Sequence, residues 1–220
     1  MTLDERMEVL RPQVEAMFAK DSSGHDVSHL ERTKNTAIYL AQKEGGDVLV
    51  CALGSYLHDI HRAMEIEVGR FVTPLESLGL VRKLLANLDL TSEQLEGICA
   101  CVEHHENYNW NGANVDDINA LIVQDADNLD AIGAIGVARA FSYGGAHGMA
   151  LYDPAVPLVE KSDYSEFEGK DASTLHHFIN KTLRLGRYMN TETGKQLAER
   201  KTAYMRGFLE EFLADWNAEF

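Results

Sequence analysis

The sequence predicts an all-α chain. Apolar residues recur three and four apart through most of its length, the spacing that places them on one face of a helix. Alternating runs of β-branched residues, which a half-buried strand needs, are not evident. Two helix starts are also written plainly. Thr73 precedes Pro74, a cap with proline in the first turn, and in Thr91-Ser-Glu-Gln94 the Thr and Gln can satisfy each other's backbone amides.

In order, the periodicity predicts helices over Leu3 to Lys20, Val27 to Glu44, Val48 to Ile60, Pro74 to Asn87 and Glu93 to His104. It continues over Val115 to Ala140, Leu175 to Met189 and Thr191 to Trp216. Pro12 lies inside the first helix, where it removes a backbone donor and is expected to kink or break it. The second carries Leu30, Ala37, Ile38 and Ala41 on its apolar face, and the third carries Leu49, Ala52, Leu53, Tyr56 and Leu57. Gly133 and Gly136 follow no strand, so close helix packing explains them better than a dinucleotide-binding loop. Phe208, Leu209, Phe212, Leu213 and Trp216 form a stripe that either docks on the core or makes a homodimer contact. The long departure is residues 142–173, where Gly144, Gly145, Gly148, Pro154, Pro157 and Gly169 interrupt any period. Irregular stretches of this length are usually functional or disordered, and a pocket wall or lid is expected, with a surface excursion as the alternative.

With 220 residues and 45% hydrophobic content, the chain can bury an ample core as one domain over 1–220, without internal repeats. The formal net charge of −15 argues against a protein that coats nucleic acid, which would carry a basic face. No run approaches the ~20 apolar residues of a membrane span. Met1-Thr-Leu-Asp-Glu-Arg6 lacks the basic and apolar regions of a signal peptide, so a cytoplasmic location is expected. Cys51, Cys99 and Cys101 form no Cys-x-x-Cys pair and are odd in number, which points to reduced thiols packed in the core.

His29, His58, Asp59 and Asp127 are the most informative residues. They supply two imidazoles and two carboxylates from three helical segments, a mixture that suits a divalent cation. Mn, Fe, Co, Ni, Mg and Zn all accept such nitrogen and oxygen donors, and ligand type does not choose among them. The carboxylate from the third segment is ambiguous on periodicity. Ile118, Leu121, Ile122, Leu129 and Ile132 mark an inward stripe that includes Asp125, although a helix buried nearly all round has no decisive phase.

His29-x-x-Arg32, then His58-Asp59, then Ala126-Asp127-x-x-Asp130 resembles the HD-domain metal-dependent phosphohydrolase superfamily. Gln124 to Arg139, Tyr143-Gly-Gly-Ala-His-Gly148, Tyr152-Asp-Pro154 and Met189-Asn-Thr-Glu-Thr193 are similar to one branch of it, the small stand-alone bacterial HD proteins typified by YedJ. The resemblance implies an HD-domain helical bundle, a metal held by His29, His58, Asp59 and Asp127, and hydrolysis of a small phosphorylated molecule, usually a nucleotide. It assigns the ligand to Asp127, leaving Asp125 to support a ligand or a substrate-binding cation and Asp130 to steady a neighbouring histidine. A metal suits that chemistry because bound water loses its proton more easily and the ion neutralises charge on phosphoryl oxygens. A binding or sensor protein of the same fold with little turnover is the competing class. The intact ligand set favours the enzyme.

His104-His105-Glu106 resembles the His-His-Glu of the HD subgroup that cleaves cyclic dinucleotides, where the histidines help hold additional metal. That subgroup's Gly-Tyr-Pro is absent, and Asn109-Trp-Asn-Gly112 follows instead. Metal ligation, proton transfer and hydrogen bonding that orients ligands or substrate all stay open for this pair. After His58-Asp59 comes Ile60-His61-Arg62, without the acidic residue that assists water in some HD nucleotidases. His61, His104, His105 and Asp26 are left as acid–base candidates. His25 and Asp26 precede His29 by roughly one turn, and Asp26 either orients a ligand or caps the helix.

In so acidic a chain, substrate phosphate must meet local positive charge. Arg32, Arg62, Arg139, His177 and Lys181 are the substrate-binding candidates, with Arg184 nearby in sequence, and His177 and Lys181 fall four apart on one helix face. Several cations beyond the metal favour an anhydride over a monoester. The expected reaction takes a nucleoside triphosphate to the monophosphate and pyrophosphate, with phosphomonoester hydrolysis as the alternative.

Overall fold

The computed structural model describes residues 1–19, 26–106, 115–159 and 171–219. His25, Asn109 to Gly112 and residues 160–170 of the expected lid lie outside them. Among the described residues there are helices and turns and no strand, so the chain is all-α. It divides into two compact units, Met1–Asp127 and Asn128–Phe220.

The first unit holds α1 (Leu3–Phe18), α2 (Val27–Glu44), α3 (Val48–Leu57), α4 (Ile60–Val68), α5 (Pro74–Leu85), α6 (Ser92–His104) and most of α7 (Ile118–Asp130). Side chains close the helix starts. Thr73 and Thr91 form the expected capping boxes with Glu76 and Gln94, and Thr2 does the same with Glu5. Asp47 caps α3 by accepting from Leu49 N and Val50 N at 2.9 and 3.0 Å. α3 is the central element: it packs against both α2 and α6, while α5 lies on α6 and α4 on α5. Leu53, Tyr56, Leu57, Ile60, Leu30, Ile98 and Val102 meet there with essentially no exposure. The α3–α6 contact is unusually close, because a Cβ at Gly54 would lie 2.6 Å from Cys101 Cβ.

Three differences from the sequence reading have local causes. α1 runs through Pro12 as one helix, since Leu10, Val14 and Phe18 are buried on both sides of it and packing outweighs one lost donor. α4 was not expected as a helix of its own. It begins because the chain turns at His58-Asp59 and restarts. The segment from Val115 does not run unbroken to Ala140: α7 ends at Asp130, and α8 (Gly133–Ala146) starts after Ile132, with Gly133 at φ +76°. At Gly136 a Cβ would lie 2.2 Å from Ala131 O, so the two glycines permit a tight reversal that a side chain would block.

The second unit contains α8, α9 (Thr174–His177), a π-helical turn (Phe178–Thr182), α10 (Leu183–Leu185) and α11 (Glu192–Asn217). α8 carries into the stretch expected to be irregular, which keeps its loop character from His147 to Val159. The helix expected over Leu175 to Met189 is interrupted by the π turn, which shifts the phase between His177 and Lys181 away from simple four-residue spacing. Part of the C-terminal stripe packs within this unit: Phe208 and Phe212 each sit 5.8 Å from Phe141, and Trp216, itself exposed, stacks at 6.1 Å from Phe212. No described helix is long and apolar enough to cross a membrane. All three cysteines are buried free thiols, and burial, with Asp47 and Asp117 adding to it, pushes Cys51 up to about 12.

Candidate metal centre

The site begins with a break in helical structure. α3 ends at Leu57, His58 keeps right-handed helical angles, and Asp59 sits at φ −92°, ψ 13° before α4 resumes. Asp59 occupies the cap position of α4 yet its side chain makes no capping bond. A residue type that normally serves its own helix is turned inward instead, and such a broken local rule marks a candidate functional position. His58 is 1% and Asp59 4% exposed. Leu30 and Ala37, buried on the same side of α2, bring His29 in at 0% exposure.

Four donor atoms converge. His29 Nε2 lies 3.2 Å from His58 Nε2. Asp59 Oδ2 is 3.5 Å from His29 Nε2 and 3.4 Å from His58 Nε2. Asp127 Oδ1 is 3.5 and 3.7 Å from the same two nitrogens. Metal–ligand bonds of roughly 2.0–2.2 Å put neighbouring donors about 3.0–3.5 Å apart around a tetrahedral or octahedral ion, so the spacing fits a divalent cation. His58 Nδ1–H donates to Ser55 O at 2.6 Å, which leaves Nε2 as the ring atom that could hold a metal. Burial works against protonation of His58, but the Asp59 and Asp127 carboxylates outweigh it and raise its pKa to about 9. Asp127 is held well below the carboxylate range; burial opposes this, and the His58 and His29 imidazoles overcome it.

The carboxylate of α7 that faces the histidines is therefore Asp127. Asp125 is fully buried, as are Ile122, Val123, Gln124 and Ala126 on either side, so the helix is covered nearly all round and its apolar phase does not single out the inward position. Gln124 Nε2 donates to His104 O at 2.8 Å, which ties α7 to the end of α6.

His105 and His61 stand beside this cluster. His105 Nδ1–H donates to Val102 O at 2.7 Å and its Nε2 lies 3.8 Å from Asp59 Oδ1. His61 Nδ1–H donates to His58 O at 3.2 Å, and the His61 and His105 rings are 5.3 Å apart. Both imidazoles are shifted toward the neutral form, His61 to about 3, by burial first and then by neighbouring cationic groups. His104, the other half of the pair, is half-buried at the end of α6.

The remaining candidates have definite places. Asp26 caps α2, accepting from His29 N at 2.9 Å and Ser28 Oγ at 2.6 Å, so it steadies the turn that carries His29. Burial would raise its pKa, but those bonds and Arg32 lower it. Arg32 Nη1 reaches Ser28 Oγ at 2.9 Å. Arg62 is engaged by Glu106 and by Glu65 at 3.4 Å, and its Nε is 4.0 Å from Asp59 Oδ1. In the second unit, Arg139 pairs with Asp130 at 2.8 Å. His177 Nδ1 bonds Asp171 at 2.9 Å and its ring stacks 5.5 Å from Tyr143, while Lys181 is exposed on the π turn.

Sequence reasoning missed two features. One is the Glu106 clamp on Arg62, whose partner lies 44 positions away. The other is the set of helix-end carbonyls, Ser55, His58 and Val102, that fix the imidazole tautomers. Their three-residue spacing is visible in the sequence, but it carries meaning only once the helix ends are known.

Comparison with known proteins shows the family. Residues 26–132 match the HD domain family model. The chain is 31% identical over 211 residues to the uncharacterized protein YpgQ of Bacillus subtilis, covering 94% of this chain and 92% of that protein. Its fold is similar to that of an HD-superfamily hydrolase from Bacillus thuringiensis, with a TM-score of 0.75, 33% identity, and 99% and 100% of the two chains covered. It is also similar to Bacillus subtilis YpgQ solved in complex with ADP, with a TM-score of 0.72, 29% identity and 97% of each chain covered. The chain belongs to the HD superfamily of hydrolases, among its small bacterial members.

Proposed function

We propose that this protein is a nucleotide phosphohydrolase that converts a nucleoside triphosphate to the monophosphate and pyrophosphate. The observation that carries the reading is the pair of imidazole nitrogens of His29 and His58, 3.2 Å apart, with an oxygen of Asp59 and one of Asp127 each within 3.4–3.7 Å of both. These four residues would hold the divalent cation. When bound, the cation lowers the pKa of water and neutralises charge on phosphoryl oxygens. The chain's own groups do the rest. Ser55 O orients His58, and Asp26 orders the first turn of α2 beneath His29. Asp127 is the more open of the two carboxylates, its side chain 22% exposed against 5% for Asp59, which suits substrate approaching past Asp127. Arg62, fixed by Glu106 and Glu65, holds a guanidinium with donors to spare beside Asp59, where a phosphate needs a cation. His105 and His61 are the acid–base candidates nearest the proposed ligands. ADP bound to the related YpgQ supports a nucleotide ligand.

The test is product analysis of the purified protein with nucleoside mono-, di- and triphosphates and Mg, Mn, Co, Ni or Zn. Monophosphate and pyrophosphate from the triphosphate are expected. Nucleoside and free phosphate from the monophosphate, with triphosphates untouched, would replace the reading with a phosphomonoesterase. Negligible turnover of every substrate alongside tight nucleotide binding would replace it with a sensor.

A further inference from the structure

The sequence carries Arg62 rather than an acidic residue soon after His58-Asp59, and the fold returns an acidic residue to that place from another helix. Glu106, just beyond the end of α6, accepts from Arg62 Nη2 at 2.5 Å. Glu65 Oε2 takes Nη1 at 3.4 Å, and Glu65 Oε1 is itself tied to Val72 N at 3.0 Å. Each terminal nitrogen of the guanidinium carries two hydrogens, so one N–H on each is left over, a pairing that suits two oxygens of a phosphate. Nε is buried without a hydrogen-bond partner, 4.0 Å from Asp59 Oδ1. Burial works against the charge on Arg62, and Glu106 first, then Asp59 and Glu65, outweigh it.

The two clamps fix different things. Glu65 shares α4 with Arg62, so it holds the side chain only against its own helix. Glu106 belongs to the end of α6, which is tied to α7 by Gln124 Nε2 donating to His104 O at 2.8 Å, and α7 carries Asp127. Glu106 therefore registers the guanidinium against the residues proposed to hold the cation. The Arg62 side chain is 32% exposed, which leaves it room for other rotamers once Glu106 is gone. Immobilising such a side chain on binding lowers affinity about three- to tenfold, and a partner that holds it beforehand removes that loss.

We infer that Glu106 is a positioning residue for substrate phosphate, which presents the Arg62 guanidinium beside Asp59 and thereby sets KM. The inference rests on the proposed hydrolase reading. Because the ordering is needed equally in the bound substrate and in the transition state, its loss falls on KM and leaves kcat in place. An acceptor oxygen at this position is what the role requires.

The test measures steady-state kinetics of the full chain with a nucleoside triphosphate and Mn. Calorimetric binding of inorganic pyrophosphate to the Mn-loaded protein and elemental analysis of its metal accompany it. Glu106→Ala should raise KM and the pyrophosphate dissociation constant about three- to tenfold, with kcat and metal content held. Glu106→Gln, which keeps an oxygen for Nη2, should restore most of the affinity. In an Arg62→Gln background, Glu106→Ala should have no further effect, because a positioning residue acts only through the group it holds. An unchanged or lowered KM in Glu106→Ala overturns the inference, the lowered value meaning that Glu106 competes with phosphate for Arg62. An equal loss in the Arg62→Gln background overturns it too. So does an Arg62→Gln variant with wild-type KM, a result that counts even if Glu106→Ala does not fold. In these cases a wild-type chain that hydrolyses the triphosphate leaves the proposed function standing, whereas no turnover of any nucleotide overturns both.

Discussion

At the scale of single residues, the centre depends on which atoms face inward. His58→Ala and Asp59→Ala are expected to abolish metal binding and turnover together while a cooperative thermal transition persists. Full activity in both variants would rule out the mechanism. Asp127→Asn should lose metal and Asp125→Asn should keep it, because Asp127 Oδ1 lies 3.5 Å from His29 Nε2; metal content showing the reverse would transfer the ligand to Asp125. Tyr56 gives a separate pH prediction. Burial first, and then the Glu31 charge, raise its phenol to about 12, against ~10 in an unfolded chain. The unfolded state therefore loses its proton first, and stability present below pH 10 is lost as pH rises toward 12, by at most about 1.4 kcal/mol per pH unit. Urea midpoints at pH 9 and 11 should show this fall, and Tyr56→Phe should reduce it.

At the scale of elements, α3 controls the site. It carries the His58-Asp59 turn at its end and packs on α6, whose last turn leads into His105. The close approach at Gly54, where a Cβ would meet Cys101 Cβ at 2.6 Å, sets the separation of these two helices. Gly54→Ala should gain up to about 1 kcal/mol from helix propensity and lose more from overpacking of about 1–3 kcal/mol, so a lowered urea midpoint is expected. A variant as stable as wild type would show that the helices separate freely. The periodicity located α3 and α6, but Gly54 and Cys101 give no local sign that they touch.

At the scale of the whole molecule, metal binding and folding should be coupled. The proposed ligands come from α2, the α3–α4 turn and α7, so an ion held by them would bind the folded chain and hardly the unfolded one. At a free metal concentration 100-fold above its dissociation constant, stabilisation of about 2.7 kcal/mol is expected. Thermal denaturation across a Mn series should move the midpoint upward with concentration, and a chelator should return it. A midpoint indifferent to both would mean that these residues do not form a metal site.

The sequence by itself determined the helical class and most helix starts and pointed to His29, His58 and Asp59 as candidate ligands, because capping and three-to-four-residue periodicity are local and a family motif is linear. It also contained Asp127, although apolar phase pointed to Asp125. Only the tertiary structure shows which of the two faces the histidines, since a helix covered on nearly every side keeps no phase to read. The break after His58-Asp59, the tight reversal at Gly133 and the π turn beyond His177 likewise emerged from packing. The meeting of His61 and His105 at one carboxylate has the same origin. They are 44 residues apart, and no local interaction relates them. What joins them is the contact of α3 with α6, fixed by a glycine small enough to let the helices approach.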